Sequence, residues 1–179
     1  FNPGLGPDAT VVAVGEHTSG RPMIGGFFGT VGGTAHPHLA RLQLDGSLDL
    51  AYDPAIRLAF DGVLAFHAAV DYRIVAVGDF QYVGDLHRPG VVRLLASGVV
   101  DPAFVPGTGP VGVNGFPPLL RAVAVQPDGK VLVGGRMISF NGFKANSIVR
   151  LVAQPPLIPP RILSVEPLGA GQLRLAVET

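Results

Sequence analysis

The chain has 179 residues, no cysteine, and 13 basic residues balanced by 13 acidic ones. Lack of cysteine excludes disulfides, cysteine-ligated zinc and thiol catalysis, and zero net charge leaves no basic excess of the kind that nucleic acid requires. Hydrophobic residues make up 47%, yet no apolar run approaches the roughly 18 residues that cross a bilayer; the longest, Val63 to Val70, already contains His67 and lies between Asp61 and Asp71.

The opening Phe1-Asn2-Pro3-Gly4 has neither Met nor a basic-then-apolar leader, so the chain reads as an interior piece of a longer protein. Thr10–Val14 and Pro22–Ile24 are the first two predicted strands. Gly26-Phe27-Phe28 and Val31-Gly32-Gly33 lead into a third, Leu39–Leu44. The connector Asp45-Gly46-Ser47-Leu48-Asp49 precedes Tyr52-Asp53-Pro54. Strands follow at Val63–Ala68, Arg73–Val77 and Val91–Leu95, with Gly78-Asp79-Phe80 and Val83-Gly84-Asp85 between the last two. Ala96 to Asp101 is the next connector, ahead of Phe104-Val105-Pro106.

The following stretch has the clearest punctuation. Arg121–Val125 is a strand, and Pro127-Asp128-Gly129 reverses the chain, because proline presets φ and glycine accepts a positive one. Lys130–Val133 returns. Asn141-Gly142 is a type I′ hairpin signal, since both residues tolerate the left-handed conformation. Ser147–Val152 is the next strand. Gln154-Pro-Pro-Leu-Ile-Pro-Pro160 reads as a stiff linker, and Arg161–Glu166 and Gln172–Glu178 as two strands around Leu168-Gly-Ala-Gly171.

One pattern is written three times. From Gly26 to Arg41, Gly78 to Arg93 and Gly135 to Arg150 is 15 residues, and the copies lie 52 and 57 residues apart. Such a period belongs to propellers and related repeat arrays. A three-stranded sheet alone is marginal in water, so each copy depends on stacking against its neighbours. The expected fold is all-β: a partial β-propeller of about three blades, each of three to four antiparallel strands. The linking segments are candidates for the fourth strand. Three blades do not close a ring of the usual 4–8, so further blades are expected in the parent chain or a partner subunit. The expected division is residues 1–153 for the repeats (about 1–51, 52–103 and 104–153), 154–160 for the linker, and 161–179 for the first hairpin of a β-sandwich module cut off at Thr179.

Ala122-Val-Ala-Val-Gln-Pro-Asp-Gly-Lys-Val-Leu-Val-Gly-Gly135, Phe140-Asn-Gly142 and Ile148-Val-Arg-Leu151 resemble the delta-60 repeat of bacterial β-propellers. Leu44-Asp-Gly-Ser-Leu-Asp49 and Phe104-Val-Pro-Gly-Thr-Gly109 are similar to that family's inter-repeat segment. The resemblance spans about residues 1–153 and is looser in the first two copies. It implies a large exported or cell-surface bacterial protein, often continued by immunoglobulin-like or fibronectin-like modules, and brings no catalytic residues with it. The family's Asp-Phe after the glycines is kept only at Asp79-Phe80; Phe27 and Arg136 replace the acid, and Met137 the aromatic. Kelch and WD repeats are disfavoured because the chain has no tryptophan.

Arg41, Arg93 and Arg150 are candidates for an anion-binding channel, but each stands where it can pair with a turn acid such as Asp49 or Asp101, and the structural role is the expectation. His36 and His38 share a face if extended and can begin a metal site; with no third ligand at a recognisable spacing, they are expected as a surface pair. Asp45 to Asp49 lacks the alternating oxygens of a calcium loop and, like Asp128-Gly129, is expected as a turn. Asp79 and Asp85 are expected to share a turn. The Gly-Gly doublets end strands rather than open helices, which makes them poor phosphate loops. The expectation is therefore no catalytic residue, metal or cofactor, and a ligand-binding site the sequence does not locate.

The function expected is a non-enzymatic segment of a large bacterial surface or secreted protein, in adhesion, display or carbohydrate or protein binding. The alternatives are the propeller part of a polysaccharide hydrolase or lyase whose site lies outside this segment, or a structural spacer. The loop from Pro106 to Pro118 is the longest and the first place to look for function.

Overall fold

The structure, a computed structural model, describes residues 1–54, 62–152, 161–169 and 172–178. These residues form small antiparallel sheets without a helix. The first blade contains β1 (Val11–Glu16), β2 (Pro22–Gly26), β3 (Thr30–Val31), β4 (Thr34–Ala35) and β5 (Leu39–Arg41). The second contains β6 (Val63–Ala68), β7 (Ile74–Gly78), β8 (Tyr82–Val83), β9 (Leu86–His87) and β10 (Val91–Leu94). The third has β11 (Pro110–Val111), β12 (Leu119–Val125), β13 (Val131–Arg136), β14 (Ser139–Phe140), β15 (Phe143–Lys144) and β16 (Ile148–Leu151).

Each main sheet has the same order, with the middle strand second in sequence: β1-β2-β5, β6-β7-β10 and β12-β13-β16. A two-residue hairpin projects between the second and third strands of every blade. Its turn in the third blade is made by Asn141 and Gly142 at φ 51° and 79°, the conformation a type I′ turn requires. In that blade β11 adds itself to β14, a contribution of the linking segment that its sequence does not announce.

The glycine that opens each copy has a steric cause. The first strand of every blade bulges at an equivalent place, between Val11 and Ala13, Val63 and Ala65, and Leu120 and Ala122. Opposite these bulges stand Gly26, Gly78 and Gly135. A β-carbon there would overlap the carbonyl oxygen of Thr10, Gly62 or Leu119 respectively. Bulges bend and twist the strand that carries them, and only glycine lets the partner strand follow.

In the first two blades the expected fourth strand is reduced to one bridge each, Leu42 with Leu48 and Leu94 with Val100. The turn before it needs a positive φ, supplied by Gly46 at 101° and Gly98 at 91°. The third copy's counterpart falls on residues 153–160, outside the described residues, as does the expected linker. The expected final hairpin is present as β17 (Arg161–Gly169) paired with β18 (Gln172–Glu178), its first strand running to Gly169 rather than ending at Glu166.

The core lies between the sheets. Strands alternate their side chains between two faces, so Met23 and Leu39 look one way while Ile24 and Ala40 look the other. Met23, Leu39 and Tyr52 pack into the second blade against Ile74, Ala76, Phe80, Val92 and Leu94. One repeat later Val75, Val91 and Phe104 pack into the third against Val131, Val133, Met137, Phe140 and Leu151. On the far face of the first blade, Ile24, Phe28, Val31, Ala40 and Leu42 gather with Val11 and Leu48. Tyr52 and Phe104 arrive from the connector of one blade and are buried against the next, which is why an aromatic recurs there.

Candidate functional site

The repeated arginines belong to clamps within the fold. Arg41 Nε donates to Asp49 Oδ2 at 2.8 Å, and Arg93 Nε to Asp101 Oδ2 at 2.8 Å. Both arginines are buried, and so are both acids. The guanidinium of Arg41 lies 4.7 Å from the ring centre of Tyr52, and that of Arg93 4.9 Å from Phe104, within the range of a cation–π contact. The second oxygen of each acid accepts a backbone N–H, from Ala51 and from Ala103. Neither arginine is free to line an anion channel, as the pairing with turn acids anticipated.

A second cation joins each clamp. Arg21 Nη1 reaches Asp49 Oδ2 at 2.8 Å and Arg73 Nε reaches Asp101 Oδ2 at 3.6 Å. Sequence reasoning missed this pair, although the signal is there: 52 residues separate them, and Lys130 stands 57 further on. Burial pushes the Asp49 carboxyl up, but the Arg41 hydrogen bond, the Ala51 N–H and the charges of Arg41 and Arg21 outweigh it and hold the group below the usual carboxylate range. Arg150 departs from the pattern. It is exposed and has no ion-pair partner among the described residues.

His36 and His38 correct the sequence reading, for they are 3% and 7% exposed rather than a surface pair. The chain between β4 and β5 is tied down by its backbone: His36 N–H donates to Gly29, and His38 N–H to Phe28, while the His38 carbonyl accepts from Gly26. His38 takes φ 68°, and its counterparts Gly90 and Ser147 take 72° and 70°, so the same turn conformation recurs in every blade. No group of three His, Cys, Asp or Glu residues suited to a metal occurs among the described residues.

The turns expected at Asp45 and Asp128 are seen, whereas Asp79 and Asp85 do not share one, because β8 lies between them. Asp45 Oδ1 accepts both the N–H and the hydroxyl of Ser47, which draws its carboxyl below the usual range. Asp128 pairs with Lys130. Asp79 follows β7 directly, its N–H on Gly62, and Asp85 sits at the tip between β8 and β9; both are exposed.

The loop end of the blades carries the side chains that vary between copies. Phe27, Asp79 and Arg136 occupy one equivalent position, at or just after the second strand and beside the start of a first strand. The scaffold there is constant and the chemistry is not: an aromatic, an acid and a base. Arg136 lies 5.4 Å from the ring centre of Phe116 and donates through Nη2 to Pro117, which ties it to the loop from Pro106 to Pro118. Asn141 holds that loop's other end, accepting from Gly109 N–H and donating to the Pro106 carbonyl. Across the first blade, Asp8 accepts from the N–H groups of Thr30 and Gly29, bonds that lower its carboxyl. Phe27, Tyr82, Phe116, Ile138 and Phe143 are between 45% and 78% exposed, and Tyr82 lies against His87 with ring centres 5.1 Å apart and the planes tilted by 60°. Exposed aromatics over a rigid frame offer broad, weakly polar contact area.

Comparison with curated proteins and with solved structures finds no match. Residues 19–52, 71–104 and 126–153, more than half of the chain, match the family described as "Domain of unknown function (DUF5122) beta-propeller", each stretch running from the turn before a blade's second strand, and the chain belongs to that family.

Proposed function

We propose that this propeller segment is a non-enzymatic recognition module that binds a carbohydrate or protein ligand through its loop end, and that its repeats are of the delta-60 kind. The observation that carries the reading is the division of labour among polar and aromatic groups. The buried acids Asp49 and Asp101 are consumed by arginine clamps, whereas Phe27, Tyr82, Phe116 and Phe143 stand exposed on segments that connect strands or on the projecting hairpins. Following the resemblance, the parent is a large bacterial surface or secreted protein, engaged in adhesion or display, whose further blades lie in the same polypeptide or a partner subunit. No cofactor enters the proposal.

A glycan array and a panel of host-matrix proteins, probed with the 179-residue chain, test it. Specific binding that falls at least tenfold in Phe116→Ala and in Arg136→Ala, with thermal stability unchanged, is the expected result. Absence of binding to every glycan and protein, or cleavage of a polysaccharide by this chain, contradicts it.

A further inference from the structure

The turns that join the first two strands of each blade share one hydrogen-bond pattern. It puts His17, Ala69 and Gln126 at one position, and Gly20, Tyr72 and Gly129 at another. Between the first and second blades, side chains from these two positions meet across the seam. His17 is 3% exposed, shares a 2.7 Å hydrogen bond with Ser19 Oγ through Nδ1, and lies 5.9 Å from Tyr72 between ring centres. Just inside them the Phe66 ring fits against Gly15. Between the second and third blades the same places fall to Ala69, Gly129 and Val123, which bring no ring. Only His67, in the place of Gly15, restores one.

The space those rings fill in the first seam is open in the second. A cleft of about 350 Å³ lies there, walled by Ala69, Val70, Val125 and Pro127, with His67 and Gln126 in its lining. Small-molecule sites have this make-up: roughly 300–1,000 Å³, mostly apolar, with a few polar groups. Both polar side chains are uncommitted. Gln126 Oε1 has no hydrogen-bond partner among the described residues, and His67 enters no hydrogen bond or ion pair among them. A covered acceptor without a partner costs stability, and a donor entering the cleft relieves that cost once the amide turns to meet it. The carboxylate at the rim, Asp71, is already engaged by Arg73, so an uncharged occupant suits the cleft.

We propose that this cleft binds a small, uncharged, planar aromatic molecule carrying one N–H or O–H donor. Its ring takes the volume that His17 and Tyr72 occupy in the first seam, between Ala69 and Val70 of one blade and Val125 and Pro127 of the next. Its donor bonds to Gln126 Oε1. The turns between first and second strands lie at the opposite end of the sheets from Phe27, Asp79 and Arg136, so this site is independent of the loop-end reading.

The probe is indole, titrated with the 179-residue chain and followed by its own emission, which the protein does not obscure because it has no tryptophan. Saturable binding with emission shifted to shorter wavelength is expected. 1-Methylindole, which keeps the rings and lacks the N–H, should bind at least fivefold more weakly. Gln126→Met should lower indole to the affinity of 1-methylindole and leave the latter unchanged. The double variant Ala69→His/Gly129→Tyr supplies the ring pair of the first seam and should exclude both compounds; Tyr72 already takes φ 65° at the position of Gly129, which takes 79°. The comparison of the two indoles needs no protein variant, so misfolding cannot mask the answer. No saturable binding, equal affinity for the two indoles, undiminished binding to the double variant, or binding that Phe116→Ala abolishes would each overturn the proposal. Tighter binding of N-acetyltryptophanamide than of indole would also overturn it, by making the occupant a protein side chain.

Discussion

Replacing Asp101 by asparagine removes one charge from the seam between the second and third blades and leaves Arg93 in place. Arg93 is 8% and Asp101 3% exposed, and their contact is a single 2.8 Å charge-assisted hydrogen bond. At an effective dielectric of about 20, two charges some 4 Å apart attract by about 4 kcal/mol. Arg73, on the rim, loses little. The Phe104 ring below Arg93 retains part of the guanidinium's stabilisation. Breaking a buried pair by removing one partner costs about 3–5 kcal/mol; with the ring retained, about 3 kcal/mol is expected. For a chain of this size that lowers the melting temperature by about 6–12 °C. Circular dichroism melts of wild type, Asp101→Asn and the double variant Arg93→Met/Asp101→Leu are the assay. The double variant should regain most of the loss, because it removes the stranded charge. A single variant within 1 °C of wild type, or a double variant that melts no higher than the single one, would sink the reasoning.

The Asp49 clamp should respond to acid. Its carboxyl is held below the ordinary 3.8, so its contribution is complete above that value and is lost as pH falls through the lower folded value. The melting-temperature gap between wild type and Asp49→Asn should therefore be constant from pH 7 to about 5 and shrink below about 4; a gap that instead closes between pH 5 and 7 would contradict the assignment. Tyr52→Phe should keep or raise stability, by up to about 1 kcal/mol, because the buried hydroxyl has no hydrogen-bond partner among the described residues and the next repeat already uses Phe104 there; a loss above 1 °C on heating would reveal one. Gly90→Ala should cost about 1–2 kcal/mol for its left-handed backbone, more if Leu120 cannot yield, since the new carbon would lie 2.9 Å from Leu120 Cδ1. Ser147→Gly, at the equivalent φ of 70°, should not destabilise, and chemical denaturation of both variants reads the difference.

Local chemistry made much of this architecture legible. The second blade's first strand was expected and found at Val63–Ala68, and the Asn141-Gly142 hairpin and the arginine clamps followed from turn residues and a repeated spacing. The boundaries that moved have local causes. β1 runs on through Gly15 to Glu16, because that glycine fits closely against the Phe66 ring of the neighbouring blade rather than breaking the strand. β5 stops at Arg41, since Leu42 is already engaged with Leu48. The burial of His36 and His38 was not legible, because it arises from a loop held by backbone bonds to Gly29, Phe28 and Gly26. The second cations, Arg21 and Arg73, close the turns ahead of the second strands, and their acid partners lie 28 residues further along the chain. The loop end was legible only as a length, and its side chains acquire meaning from the constant frame that carries them.

Both seams between blades are built from recurring positions: an aliphatic pair and a connector aromatic on one side, an aliphatic and aromatic set on the other. Any sheet made to this pattern therefore presents a surface its successor already fits. An array of this kind can lengthen or shorten by whole units without inventing a new interface, and its stability is set by neighbour-to-neighbour terms. A change at one seam should then be felt by the two sheets that share it and fade beyond them, leaving the loops of distant blades free to diverge.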